Sequence, residues 1–213
     1  MKHNQLRVRT KICGITRVED ALAAANAGAD AIGLVFYDKS PRHVTLAQAA
    51  AIVKALPPFV TSTALFVNPE ADLVHTVIDH VGVDLLQFHG EESMTFCESF
   101  GRPYFKAIRM QADTDLKACA RAYAGAKGLL LDTYVKGVPG GTGAAFNWQW
   151  VTKDKTADLG MPIILAGGLN EKNVSEAVKI VEPWAVDVSG GVEASAGIKS
   201  EEKVAQFIQA VND

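Results

Sequence analysis

Val8-Arg9-Thr10-Lys11-Ile12-Cys13-Gly14 is a short, largely apolar run that ends on a lone thiol, with a glycine directly after it. A cysteine inside an apolar strand is more often inert packing than a reactive group. Here Gly14 stops the strand, so Cys13 lies at its end, near solvent, and not in mid-core. In a parallel α/β fold that end is where active sites are built. Far downstream, Leu129-Leu130-Leu131-Asp132 ends a second buried run on a carboxyl group. If the strands close into a barrel, Cys13 and Asp132 share one mouth, as base and acid.

Working outward from these two runs, continuous apolar stretches recur at residues 8–13, 31–36, 62–67, 85–89, 104–109, 128–132, 162–166 and 185–189. They do not alternate apolar with polar, as befits strands buried on both faces. Amphipathic helical patterns separate them at 17–27, 45–56, 69–81, 91–100, 115–123, 171–181 and 200–211. The sixth crossover, 148–158, begins with tryptophan and valine and then turns polar. About eight βα units in 213 residues predict a single small (β/α)8 TIM barrel spanning 1–213. An open doubly wound sheet would use fewer strands and a Gly-rich first turn, whereas Cys13-Gly14-Ile15-Thr16 has no GxGxxG. Thr16 with Glu19 has capping-box spacing, and Asn68-Pro69 reads as a cap with proline at the first helical position.

A hydrophobic content of 48% allows one substantial core, and a formal charge of −3 with dispersed Lys and Arg argues against nucleic acid as a partner. Small molecules are the default. No apolar run approaches the roughly 18 residues that cross a bilayer, and the amino terminus lacks a signal-like apolar region. A cytoplasmic protein without a membrane partner is expected. Cys13, Cys97 and Cys119 are odd in number and show no CxxC spacing, which points to reduced thiols and away from a zinc site. A monomer is the expected state, with a homodimer left open.

Three glycine groups follow late strands: Gly140-Gly141-Thr142-Gly143, Gly167-Gly168 and Gly190-Gly191. Turn geometry explains one such pair readily and three at successive strand ends less well. Loops after strands seven and eight of such barrels often hold phosphate against backbone N–H groups, helped by a short extra helix. Residues 194–199 have room for that helix. Arg42, in Ser40-Pro41-Arg42, could clamp a carboxylate with two parallel hydrogen bonds or be a solvated loop arginine. His89 could contact substrate or serve as a hydrogen-bonded structural histidine. Asp187 interrupts an apolar strand, and a buried carboxylate requires a partner, either in the site or on a substrate hydroxyl.

Taken in order, Lys11-Ile12-Cys13-Gly14-Ile15, Ser40-Pro41-Arg42, Phe66-Val67-Asn68, Leu86-Gln87-Phe88-His89-Gly90, Leu130-Leu131-Asp132, Gly141-Thr142-Gly143, Leu165-Ala166-Gly167-Gly168-Leu169 and Asp187-Val188-Ser189 resemble the phosphoribosylanthranilate isomerase family over nearly the whole chain. The resemblance implies an Amadori rearrangement of phosphoribosylanthranilate in tryptophan biosynthesis, with no metal or organic cofactor. It implies Cys13 as general base, Asp132 as general acid and Arg42 as the holder of the anthranilate carboxylate. Substrate-binding roles are expected for His89, Gly143, Gly167, Gly168, Asp187, Ser189, Gly190 and Gly191. Phe88, Asn147 and Gly190 depart from residues common in the family, which bears on substrate positioning. Another phosphosugar barrel, such as an indole-glycerol-phosphate synthase, would show catalytic lysines and a glutamate at strand ends. A catalytically silent phosphate-binding barrel is the reading from a different class.

Overall fold

The computed structural model describes residues 7–133 and 145–213. Eight parallel strands close into a barrel in chain order: β1 (Arg9–Cys13), β2 (Ala31–Val35), β3 (Thr61–Phe66), β4 (Leu85–Phe88), β5 (Tyr104–Met110), β6 (Leu129–Thr133), β7 (Ile163–Leu165) and β8 (Ala185–Val188). Strand β8 pairs back onto β1, with Lys11 opposite Asp187. This is the predicted (β/α)8 architecture. Helices α1 (Val18–Asn26), α2 (Leu46–Ala55), α3 (Ala71–Val81), α4 (Met94–Glu98), α5 (Leu116–Ala122), α6 (Lys153–Thr156), α7 (Val174–Val181) and α8 (Glu201–Asn212) follow the successive strands.

Two-residue alternation divides each strand between two apolar environments. Ile12, Ile32, Leu34, Ala64, Phe66, Leu86, Phe88, Leu129, Leu131, Leu165, Val186 and Val188 pack outward beneath the helices in one large core. Phe105, Ala107, Leu130 and Ala166 fill the barrel interior, and Cys13, Val35 and Leu65 form a third group nearer the mouth. Both faces are buried, which is why the strands do not alternate apolar with polar, although Lys11, Thr63, Gln87 and Asp187 are buried polar groups among them. Burying one such large side chain contributes about 1.5–3 kcal/mol.

Helix starts differ from the expected ones where loop residues are needed elsewhere. Thr16 does not cap α1: Arg17 occupies the N-cap without a capping side-chain bond, and the Thr16 hydroxyl donates instead to the Gly197 carbonyl at 2.5 Å. Asn68 does not cap α3, whose N-cap is Glu70. Its backbone is left-handed at φ 46°, its amide donates to Glu92 and its Oδ1 accepts from the Glu91 amide, joining the loops after β3 and β4. Because Glu91 and Glu92 serve that junction, α4 begins only after the Ser93 cap. Thr45 and Gln48 form the one complete capping box found among the described residues. Crossover six is broken into short turns about α6, in keeping with its weak periodicity.

After β8 the short extra helix is a single 3-10 turn at Gly190–Val192, earlier than expected. Residues 194–199 do not form it. They belong to a small hairpin of β9 (Glu193–Ser195) and β10 (Ile198–Lys199), which precedes the Ser200 cap of α8. The hairpin brings Glu193 and Lys199 to the barrel mouth.

Candidate active site

A cavity of about 780 Å³ opens at the carboxyl ends of the strands, where a (β/α)8 barrel places its chemistry. Cys13 and Asp132 both line it, from the ends of β1 and β6. Arg42, His89, Gly167, Gly168, Asp187, Ser189, Gly190 and Gly191 line it too. Every expected site residue is therefore brought together except Gly143, which lies with Gly140, Gly141 and Thr142 outside the described residues. Val35, Leu65 and Val67 supply apolar wall, suited to an aromatic ring.

Arg42 is not a solvated loop residue. Its Nε and one terminal nitrogen donate to the two carboxylate oxygens of Glu193 at 2.7 and 2.8 Å. Lys199 Nζ donates to the same carboxylate at 2.9 Å. These bonds overcome the effect of burial and hold the Glu193 carboxyl below its ordinary range. One edge of the guanidinium is thus taken by the protein itself, and the opposite edge is the fork that can meet a second carboxylate. The side chain also crosses the start of the first loop: a Cβ on Gly14 would lie 2.5 Å from Arg42 Cδ and 2.9 Å from Ser189 Oγ, at φ +73°. Gly14 is required by that crossing as well as by the turn.

His89 is both hydrogen-bonded and pocket-lining. Its Nδ1 is hydrogen-bonded to Gln87 Nε2 at 3.0 Å and its Nε2 to Asp132 Oδ2 at 3.1 Å. The Thr133 amide donates to Asp132 Oδ1 at 2.8 Å. These two hydrogen bonds fix the Asp132 side chain in position at the strand end. Gln87 Oε1 and Ser189 Oγ are buried with no partner among the described residues, and their side chains border the cavity.

Asp187 finds its partner inside the protein: Lys11 Nζ donates to Oδ1 at 2.7 Å, deep in the barrel. Of the two partners open to it on sequence, this is the one in the site. The sequence reading missed Lys11, although a lysine two residues before Cys13 must face the same side of the strand. Glu193 and Lys199 were missed as well. Burial pushes the Cys13 thiol above its ordinary value, with Lys11 the strongest opposing influence.

The loop after β7 turns through Gly167 and Gly168 at φ +82° and +65°. Asn173 anchors it by donating to the Gly168 carbonyl at 3.0 Å and accepting from the Asn170 amide at 2.8 Å. These uses explain why α7 starts at Val174 and not at 171. At Gly191 the loop after β8 packs against the Leu169 and Asn170 backbone, and a side chain there would strike the Leu169 carbonyl. Two backbone loops thus meet as one concave rim.

Such a barrel, with a carboxyl group, a thiol and an arginine around one strand-end cavity and a glycine-lined rim after strands seven and eight, has the architecture of a (β/α)8 enzyme. The N-(5'phosphoribosyl)anthranilate (PRA) isomerase family model matches residues 10–210. The chain belongs to that family. It is 62% identical over 204 residues to the N-(5'-phosphoribosyl)anthranilate isomerase of Pseudomonas aeruginosa, covering 96% of this chain and 95% of that one. The phosphoribosylanthranilate isomerase of Thermotoga maritima superposes with a TM-score of 0.87 at 37% identity, covering 96% and 98% of the two chains. An isomerase solved with reduced 1-(o-carboxyphenylamino)-1-deoxyribulose 5-phosphate matches with a TM-score of 0.84, also at 37% identity, over 96% and 98%. No helix among the described residues is long and apolar enough to cross a membrane.

Proposed function

We propose that this chain converts N-(5-phosphoribosyl)anthranilate to 1-(2-carboxyphenylamino)-1-deoxyribulose 5-phosphate, as an aldose-ketose isomerase of tryptophan biosynthesis. The observation that carries the reading is the presence of Cys13 and Asp132 at two strand ends of one cavity, beside Arg42. The relative solved with a reduced form of that product supports the choice of substrate.

In this mechanism the Asp132 carboxyl group, in its acid form, gives a proton to the furanose ring oxygen. The bond from C1′ to that oxygen breaks as the anilino nitrogen lone pair forms a C1′ iminium. Cys13, as thiolate, removes the C2′ proton; the C–H electrons form the C1′–C2′ double bond and neutralise the iminium. The resulting enolamine ketonises to product. Each proton transfer to or from a positioned group contributes typically 10²–10⁴ in rate. The His89 N–H and the Thr133 amide stabilise the carboxylate that Asp132 becomes. The outer edge of Arg42 holds the anthranilate carboxylate, and the ring lies along Val35, Leu65 and Val67. Gly167, Gly168, Ser189, Gly190 and Gly191 receive the phosphate, with Ser189 Oγ available as a donor.

The test follows the fluorescence of freshly generated phosphoribosylanthranilate. Wild-type protein is expected to accelerate its decay and form the aminoketose, whereas folded Cys13→Ala binds the reduced product analogue but does not turn over. Absence of acceleration by the wild type removes the reading.

A further inference from the structure

The Lys11–Asp187 pair is an unusual thing to bury in a barrel. Lys11 and Asp187 are cross-strand partners of β1 and β8, joined at 2.7 Å, with side chains 6% and 9% exposed. Taking two charges out of water costs several kcal/mol each, and apolar replacements of similar volume are often as stable or more so. Stability alone is therefore a poor reason for the pair.

Its surroundings suggest a chemical one. Lys11 and Cys13 are two residues apart on β1 and face the interior together. Gly33 of β2 is the direct partner of Cys13. A Cβ on Gly33 would lie 2.7 Å from Cys13 Sγ and 2.9 Å from Lys11 Nζ, so thiol and ammonium both border the space that a side chain there would fill. The ammonium lies beside the thiol there, while Asp187 keeps it charged against the cost of burial.

We propose that Lys11 is a positioning residue acting through Cys13: its ammonium, clamped by Asp187 and brought to the sulfur across the gap at Gly33, is the counter-charge that lets the thiol give up its proton. The inference rests on the reading of Cys13 as the base. The charged groups around the sulfur divide as follows. Lys11 on β1, Lys199 on β10 and the Arg42 guanidinium favour the thiolate, while Asp187 on β8 opposes it. Glu193 tempers Arg42 and Lys199 by bonding both. Lys11 is the largest favourable influence on the thiol.

The experiment measures iodoacetamide alkylation of Cys13 against pH, resolved by peptide mass spectrometry, alongside kcat and KM over the same range. In Lys11→Met the alkylation midpoint is expected to rise by about one pH unit, a tenfold loss of thiolate at neutral pH. The acid limb of kcat/KM should rise in step, with kcat reduced about tenfold and KM unchanged. Lys11→Arg should retain most of the effect. Gly33→Ala keeps both charges and inserts a methyl group between them, so its midpoint should rise as well. Lys11→Met leaves Asp187 as an unpaired buried charge. If it fails to fold, Lys11→Met/Asp187→Asn carries the test, with a midpoint still above wild type. A wild-type midpoint in a folded variant lacking Lys11, or a loss of kcat equal at all pH values, overturns the proposal. Alkylation requires no turnover, so a wild type that alkylates as expected but does not isomerise would refute the proposed function and not this pairing.

Discussion

Arg42, on the loop after β2, and Glu193, on the hairpin after β8, are held by two parallel hydrogen bonds of 2.7 and 2.8 Å across the mouth of the barrel. Glu193 therefore orients the guanidinium without using all its donors, and Lys199 shares its charge.

Arg42→Met should leave the fold intact, because Lys199 still pairs Glu193. A hydrogen bond to a charged group contributes about 1.5–3 kcal/mol, so affinity for carboxylated substrate or product analogue should fall roughly ten- to a hundredfold or somewhat more. An analogue lacking the anthranilate carboxylate should lose little. Equal losses for both, measured by competitive inhibition, would put Arg42 at the phosphate or in the scaffold.

Asp132→Asn keeps the shape of the side chain and the bond from the Thr133 amide, but cannot deliver the ring-opening proton. Turnover should drop by about 10²–10⁴, while the inhibition constant of inorganic phosphate stays near wild type. If Asp132→Asn turns over at a near-normal rate, the acid is another group.

The two side chains proposed to react were legible because strand ends in this architecture are legible: Cys13 before Gly14, and Asp132 closing a run of leucines. What supports them was not. Lys11 with Asp187 and Arg42 with Glu193 are joined only when β8 closes on β1, and nothing local announces contacts between residues so distant in the chain. The one available hint, that Lys11 and Cys13 share a strand face, becomes informative once Asp187 is known to sit opposite. Local signals failed where tertiary contacts won: Thr16 binds Gly197, and Asn68 ties two loops together instead of capping a helix.

Alkaline pH should unfold this protein through a buried cluster away from the cavity. Burial, with Glu92 adding to it, pushes the Cys97 thiol up to about 12, and burial with Cys97 and Glu98 pushes the Tyr104 phenol up to about 12. Folded values above the unfolded ones mean that this stability is whole below the unfolded values and is lost as pH rises through the folded ones. Each proton contributes a slope of about −1.4 kcal/mol per pH unit in that window. Urea unfolding between about pH 9 and 12 should therefore show a slope shallower by one proton in Cys97→Ala, with no change near neutrality. The same slope in both proteins would mean that Cys97 ionises equally in the two states.

Gly168 and Gly82 provide a matched pair for the phosphate rim. Both are left-handed, at φ +65° and +72°, so alanine incurs a similar backbone cost of about 1–2 kcal/mol at either site. Gly82 caps α3, between helix and strand, with open space where a Cβ would be. Gly168 borders the cavity. Inorganic phosphate should compete with substrate and raise the melting temperature of the wild type in proportion to occupancy, because it binds the folded state alone. Gly82→Ala should melt lower yet keep both the inhibition constant and the phosphate-induced shift. Gly168→Ala should melt lower by a similar amount and lose both, since a methyl group there holds the anion away from the backbone amides. An unchanged phosphate inhibition constant in folded Gly168→Ala would show that the anion rests elsewhere on the rim.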